Sequence, residues 1–184
     1  LAVTVAFHAG LFNIGGEGQA QLGGLGVAMA VLFIPWPHWT LALLAAACGA
    51  ALFGAAWAAI PAYLQAKRGS HIVITTIMFN YIAGSLMVFM LNGPLKPLGS
   101  MAPQTRPFDA GAQLPKLNWI FNMLGANVRS SPLNLTFLLA LLMAFLIWLL
   151  IWRTKFGYEL RTLGYSPKAA RYAGISEKRI VIVT

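Results

Sequence analysis

Residues 39–60 read WTLALLAAACGAALFGAAWAAI, twenty-two positions without one charged side chain. A helix rises about 1.5 Å per residue and the hydrocarbon core of a bilayer is about 30 Å thick, so about 20 such residues cross it. This run is therefore long enough to span a membrane, and it sets the class of the whole chain. Two more uncharged runs, 72–91 and 133–152, hold 20 residues each. Upstream, 1–14 and 18–34 are apolar but short, and Gly15, Gly16 and Glu17 part them; they read as two helices with a tight turn or as one broken helix. Along 39–60, small residues recur at Ala42, Ala46, Ala50, Gly54 and Ala58. Such a stripe lets a neighbouring helix approach closely in lipid, where no hydrophobic force drives helices together.

Composition points the same way. Of 184 residues, 59% are apolar and 9% are charged, where a soluble domain carries about 45–50% and about 25%. An ordinary soluble domain is excluded. Thirteen Lys and Arg against four Asp and Glu leave a net charge of +9, but these charges sit in loops between apolar runs, which indicates a membrane surface and not nucleic acid. The lone Cys48 lies in an apolar run, so neither a disulfide framework nor a thiolate metal site is expected. His8, His38 and His71 are far apart and supply no metal cluster. No Gly-x-x-x-x-Gly-Lys-Ser/Thr phosphate loop occurs, so any ATP is handled by another chain.

Lys and Arg are retained on the cytoplasmic side of a membrane protein. Seven lie in 153–179, two more (Lys67 and Arg68) in 62–71, and four (Lys96, Arg106, Lys116 and Arg129) in 92–132 at about half the density. The first two segments are expected inside and 92–132 outside. That outer segment holds six prolines (Pro94, Pro97, Pro103, Pro107, Pro115 and Pro132), too many for one helix. It is expected to fold over the outer mouth, with a short interfacial helix over 117–124. The resulting expectation is one transmembrane domain over 1–184, with spans near 1–14, 18–34, 39–60, 72–91 and 133–152. The outer loop covers 92–132, an inner loop covers 153–179, and a further span starts at 180–184. Both ends fall inside apolar runs, so the chain reads as a fragment of a longer subunit. The stretch 1–11 lacks a basic leader and a cleavage site and is not read as a signal peptide.

Three constellations stand out. The first is Phe12-Asn13-Ile14-Gly15-Gly16-Glu17-Gly18-Gln19, with Gln21 and three more glycines following. Glycines at this density loosen a helix, and the polar groups hydrogen-bond among apolar neighbours. Glu17 has three roles open to it: a carboxylate at the membrane surface facing a helix N-terminus, a group on a substrate path, or a lock between helices. The second runs from Lys67-Arg68-Gly69-Ser70-His71 into a span bearing Thr75, Thr76, Asn80 and Ser85. Helical spacing turns Thr76, Asn80 and, less closely, Thr75 towards one face, suited to a neutral polar solute or to bonds between helices. The third is 156–175, where Ser166 fits an N-cap, Pro167 the first helical turn and Gly174 the position after the end, giving a two-turn helix over 167–173. That helix is either part of a positive loop or a lever for a cytoplasmic partner.

At these places the sequence resembles the permease subunit of bacterial ABC importers in the branched-chain amino acid, ribose and simple-sugar permease superfamily, most closely its nucleoside and simple-sugar branch. The most specific match is Phe12 to Gln19, joined by Gly157 to Arg161, Gly164, Pro167 and Ala169 to Ile175. The resemblance implies an all-α integral membrane protein, a polytopic helical bundle of the type II importer kind, in the bacterial inner membrane. It implies a pore shared with a second permease chain, identical or homologous. A cytoplasmic coupling helix would engage a separate ATP-binding subunit, and an extracytoplasmic binding protein would deliver solute. ATP and Mg would belong to the ATPase subunit, with no cofactor on this chain. Asn13, Glu17, Gln19, Thr75, Thr76 and Asn80 become candidates for the substrate path. Gly157, Glu159, Arg161, Gly164, Pro167, Ala169, Ala170, Arg171, Tyr172 and Gly174 become candidates for coupling. The neutral groups on the path suit an uncharged polar solute, a nucleoside or simple sugar. The sequence departs from the family at Ile72, where an acidic residue usually follows the histidine, and at Thr162 and Ser166, where Ala and Asn are commoner. Two other classes remain: an ion-coupled secondary transporter with Glu17 as coupling site, and a membrane enzyme using Glu17 as acid or base. The latter lacks a second titratable partner in sequence near Glu17.

Overall fold

In the computed structural model the described residues, 1–123, 125 and 133–184, form nine α-helices and one turn of 3-10 helix. In chain order these are α1 (Ala2–His8), α2 (Gly16–Leu32), α3 (Trp39–Arg68), α4 (Ile72–Asn92), α5 (Asn118–Met123), α6 (Thr136–Arg153), α7 (Lys155–Tyr165), α8 (Pro167–Tyr172) and α9 (Glu177–Val183). Helices α3, α4 and α6 are long and apolar enough to cross a membrane. No strand occurs among the described residues, and a single antiparallel bridge joins Lys116 to Asn134. The protein is an all-α membrane protein.

The α2–α3 hairpin is the centre of the bundle. A Cβ at Gly26 would fall on the carbonyl of Gly49, and a Cβ at Gly49 on the carbonyl of Gly26. Glycine at both places lets the two backbones touch, the close approach that stabilises helix pairs in lipid. The small-residue stripe takes part: Ala42 is buried, Ala50 packs under Gly23 and Gly54 under the Gln19 carbonyl. Gly49, off the four-residue repeat, makes the tightest contact. Helix α4 runs parallel to α2 and closes a core of Leu22, Leu25, Ala28, Leu32, Ala83 and Leu95, flanked by Trp57, Leu86, Met87 and Met90. Leu44, Leu52, Phe89 and Leu141 are left exposed, as expected of faces turned to lipid or to a further chain.

Four elements differ from the sequence expectation. The stretch 1–14 is not one helix: α1 stops at His8, because Gly10 adopts φ 71° while Leu11 and Gly10 donate their N–H groups to the carbonyls of Ala6 and Phe7, a Schellman ending. Helix α3 does not stop at Ile60 but runs through Pro61 to Arg68, 30 residues in all. A proline removes a single backbone donor, and the cost stays local where neighbours hold the helix. Lys67 and Arg68 thus form its last turn, closed by Gly69 at φ 66°. The inner segment 153–179 holds a second helix, α7, besides α8. Finally, α6 begins at Thr136 because residues just before it are bonded to the outer segment, Leu117 donating to the Leu133 carbonyl and Leu135 to that of Pro115.

Residues 106–111 fold back over the hairpin. Arg106 donates to the Leu32 carbonyl and Gly111 lies against the Trp36 carbonyl. The short outer helix is α5; Leu124, Arg129 and Pro132 lie outside the described residues. At the opposite end, Thr154 caps α7 by accepting from the Gly157 N–H at 3.0 Å. Ala9, Leu160, Leu163, Ala170 and Ile180 form a second core there, binding the end of α1, α7, α8 and α9 into one unit.

Candidate functional site

Between α1 and α2 the chain is non-helical from 9 to 15, and its backbone groups need partners from elsewhere. Asn80 on α4 supplies two. Its Oδ1 accepts from the Gly18 N–H at 2.9 Å and its Nδ2 donates to the Ile14 carbonyl at 3.1 Å. Asn13 supplies a third, accepting from the Gly15 N–H at 2.8 Å. Thr76 is fully buried against Gly15, and its hydroxyl donates to the carbonyls of Ile72 and Val73 at 2.8 and 3.1 Å. Thr75 likewise donates to the His71 carbonyl at 3.0 Å. The junction is therefore held by named side chains.

Its depth follows from its neighbours. Gly18 lies under Trp57: a Cβ there would stand 3.1 Å from the indole Nε1. Trp57 precedes the charged end of α3 at Arg68 by eleven residues, about 16 Å of helix. The start of α2 thus lies well inside the basic end of the bundle, alongside the middle of α4.

Glu17 opens onto a groove of about 810 Å³ between α2 and α4, lined by Ile14, Glu17, Gln21, Ile77, Asn80, Tyr81, Gly84, Ser85 and Val88. Gln21 Nε2 approaches Glu17 Oε1 at 3.5 Å, and Gln21 Oε1 is buried without a donor. The Ser85 hydroxyl donates to the Tyr81 carbonyl at 3.0 Å. Asn80, though on the wall, has its amide committed to the junction backbone. The acceptor left open is the Glu17 carboxylate, with the Tyr81 hydroxyl on the same groove. Such a set suits a solute carrying hydroxyl or amine donors. Asn13 and Gln19 line a different cavity, about 350 Å³, walled by Ala58, Pro61 and Gln65 of α3 and by the end of α9. The six path candidates thus divide: Glu17 and Asn80 on the groove, Asn13 and Gln19 on the second cavity, and Thr75 and Thr76 bonded to their own helix. Gln21, Tyr81 and Ser85 were not among the candidates. Their signal was present, since Gln21 follows Glu17 by one helical turn and Ile77, Tyr81, Gly84, Ser85 and Val88 share one face of α4.

The coupling candidates lie at the basic end. Gly157 packs its backbone on the carbonyls of Leu150 and Ile151, and Gly164 packs against His8 and Gly10. Glu159 is half-buried, and the Arg161 guanidinium carbon lies 4.5 Å from the centroid of the Trp152 ring. Helix α8 starts at Pro167, with Ser166 accepting from the Ala169 N–H at 3.3 Å, and ends through Gly174 at φ 75°. Ala170 is fully buried in the inner core, while Ala169, Arg171 and Tyr172 face outward, Tyr172 at 95% exposure. Arg171 pairs with Glu177 at 2.8 Å, the one ion pair found among the described residues. No group of three or more His, Cys, Asp or Glu placed to hold a metal occurs among the described residues.

Spanning helices around a stapled junction, with a small helical unit at one end, define a polytopic helical membrane protein. The chain belongs to the branched-chain amino acid transport system / permease component family, whose model matches residues 1–184. It is 32% identical over 188 residues to the nucleoside ABC transporter permease protein NupB of Lactococcus lactis subsp. cremoris, covering 100% of this chain and 50% of that protein. Identity to the guanosine ABC transporter permease protein NupP of Bacillus subtilis is 33% over 187 residues, with 100% and 50% covered. The glucose ABC transporter permease protein TsgB13 of Haloferax volcanii matches at 32% over 184 residues, with 99% and 48% covered. The chain spans about half the length of these relatives. No solved structure matches it.

Proposed function

We propose that the chain is the pathway-forming part of a permease subunit of an ATP-driven importer in the bacterial inner membrane, carrying a nucleoside or a related simple sugar. The observation that supports this most is the groove at Glu17, whose open carboxylate lies beside a break between helices and well inside the basic end of the bundle. A polar uncharged solute rich in hydroxyl groups would exchange hydrogen bonds with water for hydrogen bonds with Glu17 and Tyr81, at little net cost. The names of the relatives support the solute class, and family membership supports the partners: a second permease chain, an extracytoplasmic binding protein, and an ATP-binding subunit that holds ATP and Mg. In this reading α8 docks on the ATP-binding subunit through Lys168, Ala169, Arg171 and Tyr172. The inner core then joins α8 to the junction, since Ala170 packs with Leu160 and Leu163 on Ala9.

The test uses the full-length subunit purified with its partners and reconstituted in vesicles. ATP-driven uptake of radiolabelled nucleosides and sugars is compared between wild type, Glu17→Gln and Gln21→Leu, alongside crosslinking of single cysteines at 168, 169 and 172 to the ATP-binding subunit. Reduced uptake with intact assembly, and crosslinks at those positions, are expected. Uptake at the wild-type rate in both variants sinks the groove as the path. Uptake that needs a proton or sodium gradient and no ATP points to a secondary transporter instead.

A further inference from the structure

A third pocket, of about 270 Å³, lies at the basic end of the bundle, between the end of α1, the end of α6 and the last turns of α7. Phe7, His8, Trp152, Arg161, Gly164 and Tyr165 line it. Its chemistry is the reverse of the groove at Glu17, because no carboxylate lines it. The Arg161 guanidinium lies over the Trp152 indole, 4.5 Å from guanidinium carbon to ring centroid, and only its Nε is engaged, with the Gly157 carbonyl at 3.4 Å. Both terminal nitrogens of the guanidinium fork are thus free among the described residues. Tyr165, 89% exposed, brings a hydroxyl to the rim. His8 uses its Nδ1 on the Thr4 carbonyl at 2.8 Å and stands edge-on to Trp152, so it acts as a wall.

The position of the pocket says what would fill it. Trp152 is the last residue but one of α6, a helix long enough to cross a membrane. Arg153 lies over Trp148 at 5.9 Å and Lys155 follows directly. Tryptophan and arginine in this order mark the boundary where hydrocarbon gives way to headgroups. Phe7 and Trp152, about half exposed, extend the pocket wall as an apolar surface towards the helix end. A free phosphate dianion gains nothing from that surface and finds one guanidinium for two charges. A phosphodiester carries one charge, which the guanidinium fork matches with two parallel hydrogen bonds; its glycerol and acyl chains cover the aromatic wall, and the basic Arg153 and Lys155 at this end disfavour a cationic headgroup such as choline. Basic pockets between spanning helices on the cytoplasmic side suit such headgroups.

We propose that the pocket formed by Arg161, Trp152, Tyr165 and Phe7 binds the phosphate of an acidic phospholipid of the inner leaflet. The site is independent of the solute and of the groove at Glu17. It gives Arg161 a lipid contact in place of a contact with the ATP-binding subunit, and it fixes the height of α7, which carries α8, against the membrane surface.

The experiment is native mass spectrometry of the full-length transporter complex after exchange into phosphatidylglycerol or phosphatidylcholine, with wild type, Arg161→Gln, Arg161→Lys and Tyr165→Phe compared. Phosphatidylglycerol retained by wild type over phosphatidylcholine is expected. Arg161→Gln is expected to lower that retention about tenfold, the worth of a charged hydrogen-bond pair, with Arg161→Lys intermediate. Tyr165→Phe, an exposed change that leaves packing alone, is expected to lower it less, and it keeps the test valid should Arg161→Gln fail to assemble. Equal retention in wild type, Arg161→Gln and Tyr165→Phe overturns the proposal. So does displacement of the lipid by inorganic phosphate, which marks a simple anion site, and so does loss of the ATP-binding subunit from Arg161→Gln with lipid retention unchanged, which returns Arg161 to the coupling surface.

Discussion

Replacing Gly26 by Ala is expected to destabilise the bundle, although alanine is the better helix former. Any Gly→Ala change inside a helix gains about 1 kcal/mol in propensity. At Gly24 on the same helix a new Cβ meets nothing within 4 Å, so Gly24→Ala receives that gain undiminished. At Gly26 the new Cβ stands 2.7 Å from the carbonyl carbon of Gly49 and 2.9 Å from Phe53 Cβ, where carbon atoms prefer about 3.5–4.0 Å. Helices α2 and α3 must part by about 1 Å, or their core side chains must leave their rotamers. Overpacking of this kind costs about 1–3 kcal/mol. Because the propensity gain is common to both changes, the gap between the two variants measures the overlap alone, about 1–3 kcal/mol.

The measurement is the melting temperature of the full-length detergent-solubilised protein, followed by its monodisperse fraction on gel filtration. Gly24→Ala is expected at or above wild type and Gly26→Ala several degrees below. The pair Gly26→Ala with Gly49→Ala adds a sharper check. Once the helices have separated for one methyl group, the second enters at lower cost, so the double variant is expected to lose less than the two single losses added together. Equal melting temperatures for Gly24→Ala and Gly26→Ala would refute a glycine-to-glycine crossing at this point.

Two further outcomes are expected. Asn80→Ala strips the Gly18 N–H and the Ile14 carbonyl of their partners; water can replace the second, which is exposed, but the buried Gly18 N–H left unpaired costs about 1–3 kcal/mol. Its melting temperature is expected to fall while that of Glu17→Gln, which breaks no backbone bond, stays put; the reverse order would mean that Asn80 is not what holds the junction. Arg171→Glu is expected to leave melting unchanged, because the Arg171–Glu177 pair is exposed on both sides and such pairs contribute about 0–1 kcal/mol, yet to reduce ATP-driven uptake. Adding Glu177→Arg restores the pair with its charges exchanged. Recovery of uptake in that double variant would show that the internal pair matters, and not a contact of Arg171 with a partner.

What could be read from the sequence, and what could not, follows from the range of the interactions. Apolar runs depend on residues close in sequence, so the three long spanning helices stood out, and Ser166, Pro167 and Gly174 marked α8 because capping is local. Helix α3 outran its expected end because Pro61 is a local stop signal overridden by packing, Pro61 itself being buried. Helix α7 was missed for a different reason. Phe156, Leu160 and Leu163 repeat at helical spacing and all reach the second core, but the charges around them read as a basic loop. The role of Asn80 is the furthest from local reading. Its partners are 62 and 66 residues away, and the sequence shows only an amide on a polar face, equally suited to a solute. Burying unpaired backbone costs more than an unmade solute contact, so the broken junction claimed the amide first.

That claim bears on how movement at the α8 end would reach the groove. Between α8 and Glu17 the contacts are continuous: Ala170 packs with Leu160 and Leu163 of α7, the same core includes Ala9, and Gly164 touches the backbones of His8 and Gly10. From Gly10 the chain runs through six residues to Gly16, where α2 begins. Between the ends of α1 and α2 no helical hydrogen bonds resist bending, and Asn13, Asn80 and Thr76 are what pin the segment. A displacement of α8, if an ATP-binding subunit drives one, therefore meets a rigid unit as far as Gly10 and a compliant one beyond it. The compliance ends at the Asn80 amide, which ties Ile14 and Gly18 to α4. Because Ile14, Glu17 and Asn80 all line the groove, motion that exceeds what residues 10–13 absorb reaches the spacing between α2 and α4 at that wall. The staple that holds the junction together is thus also the point at which a push from below would alter the groove.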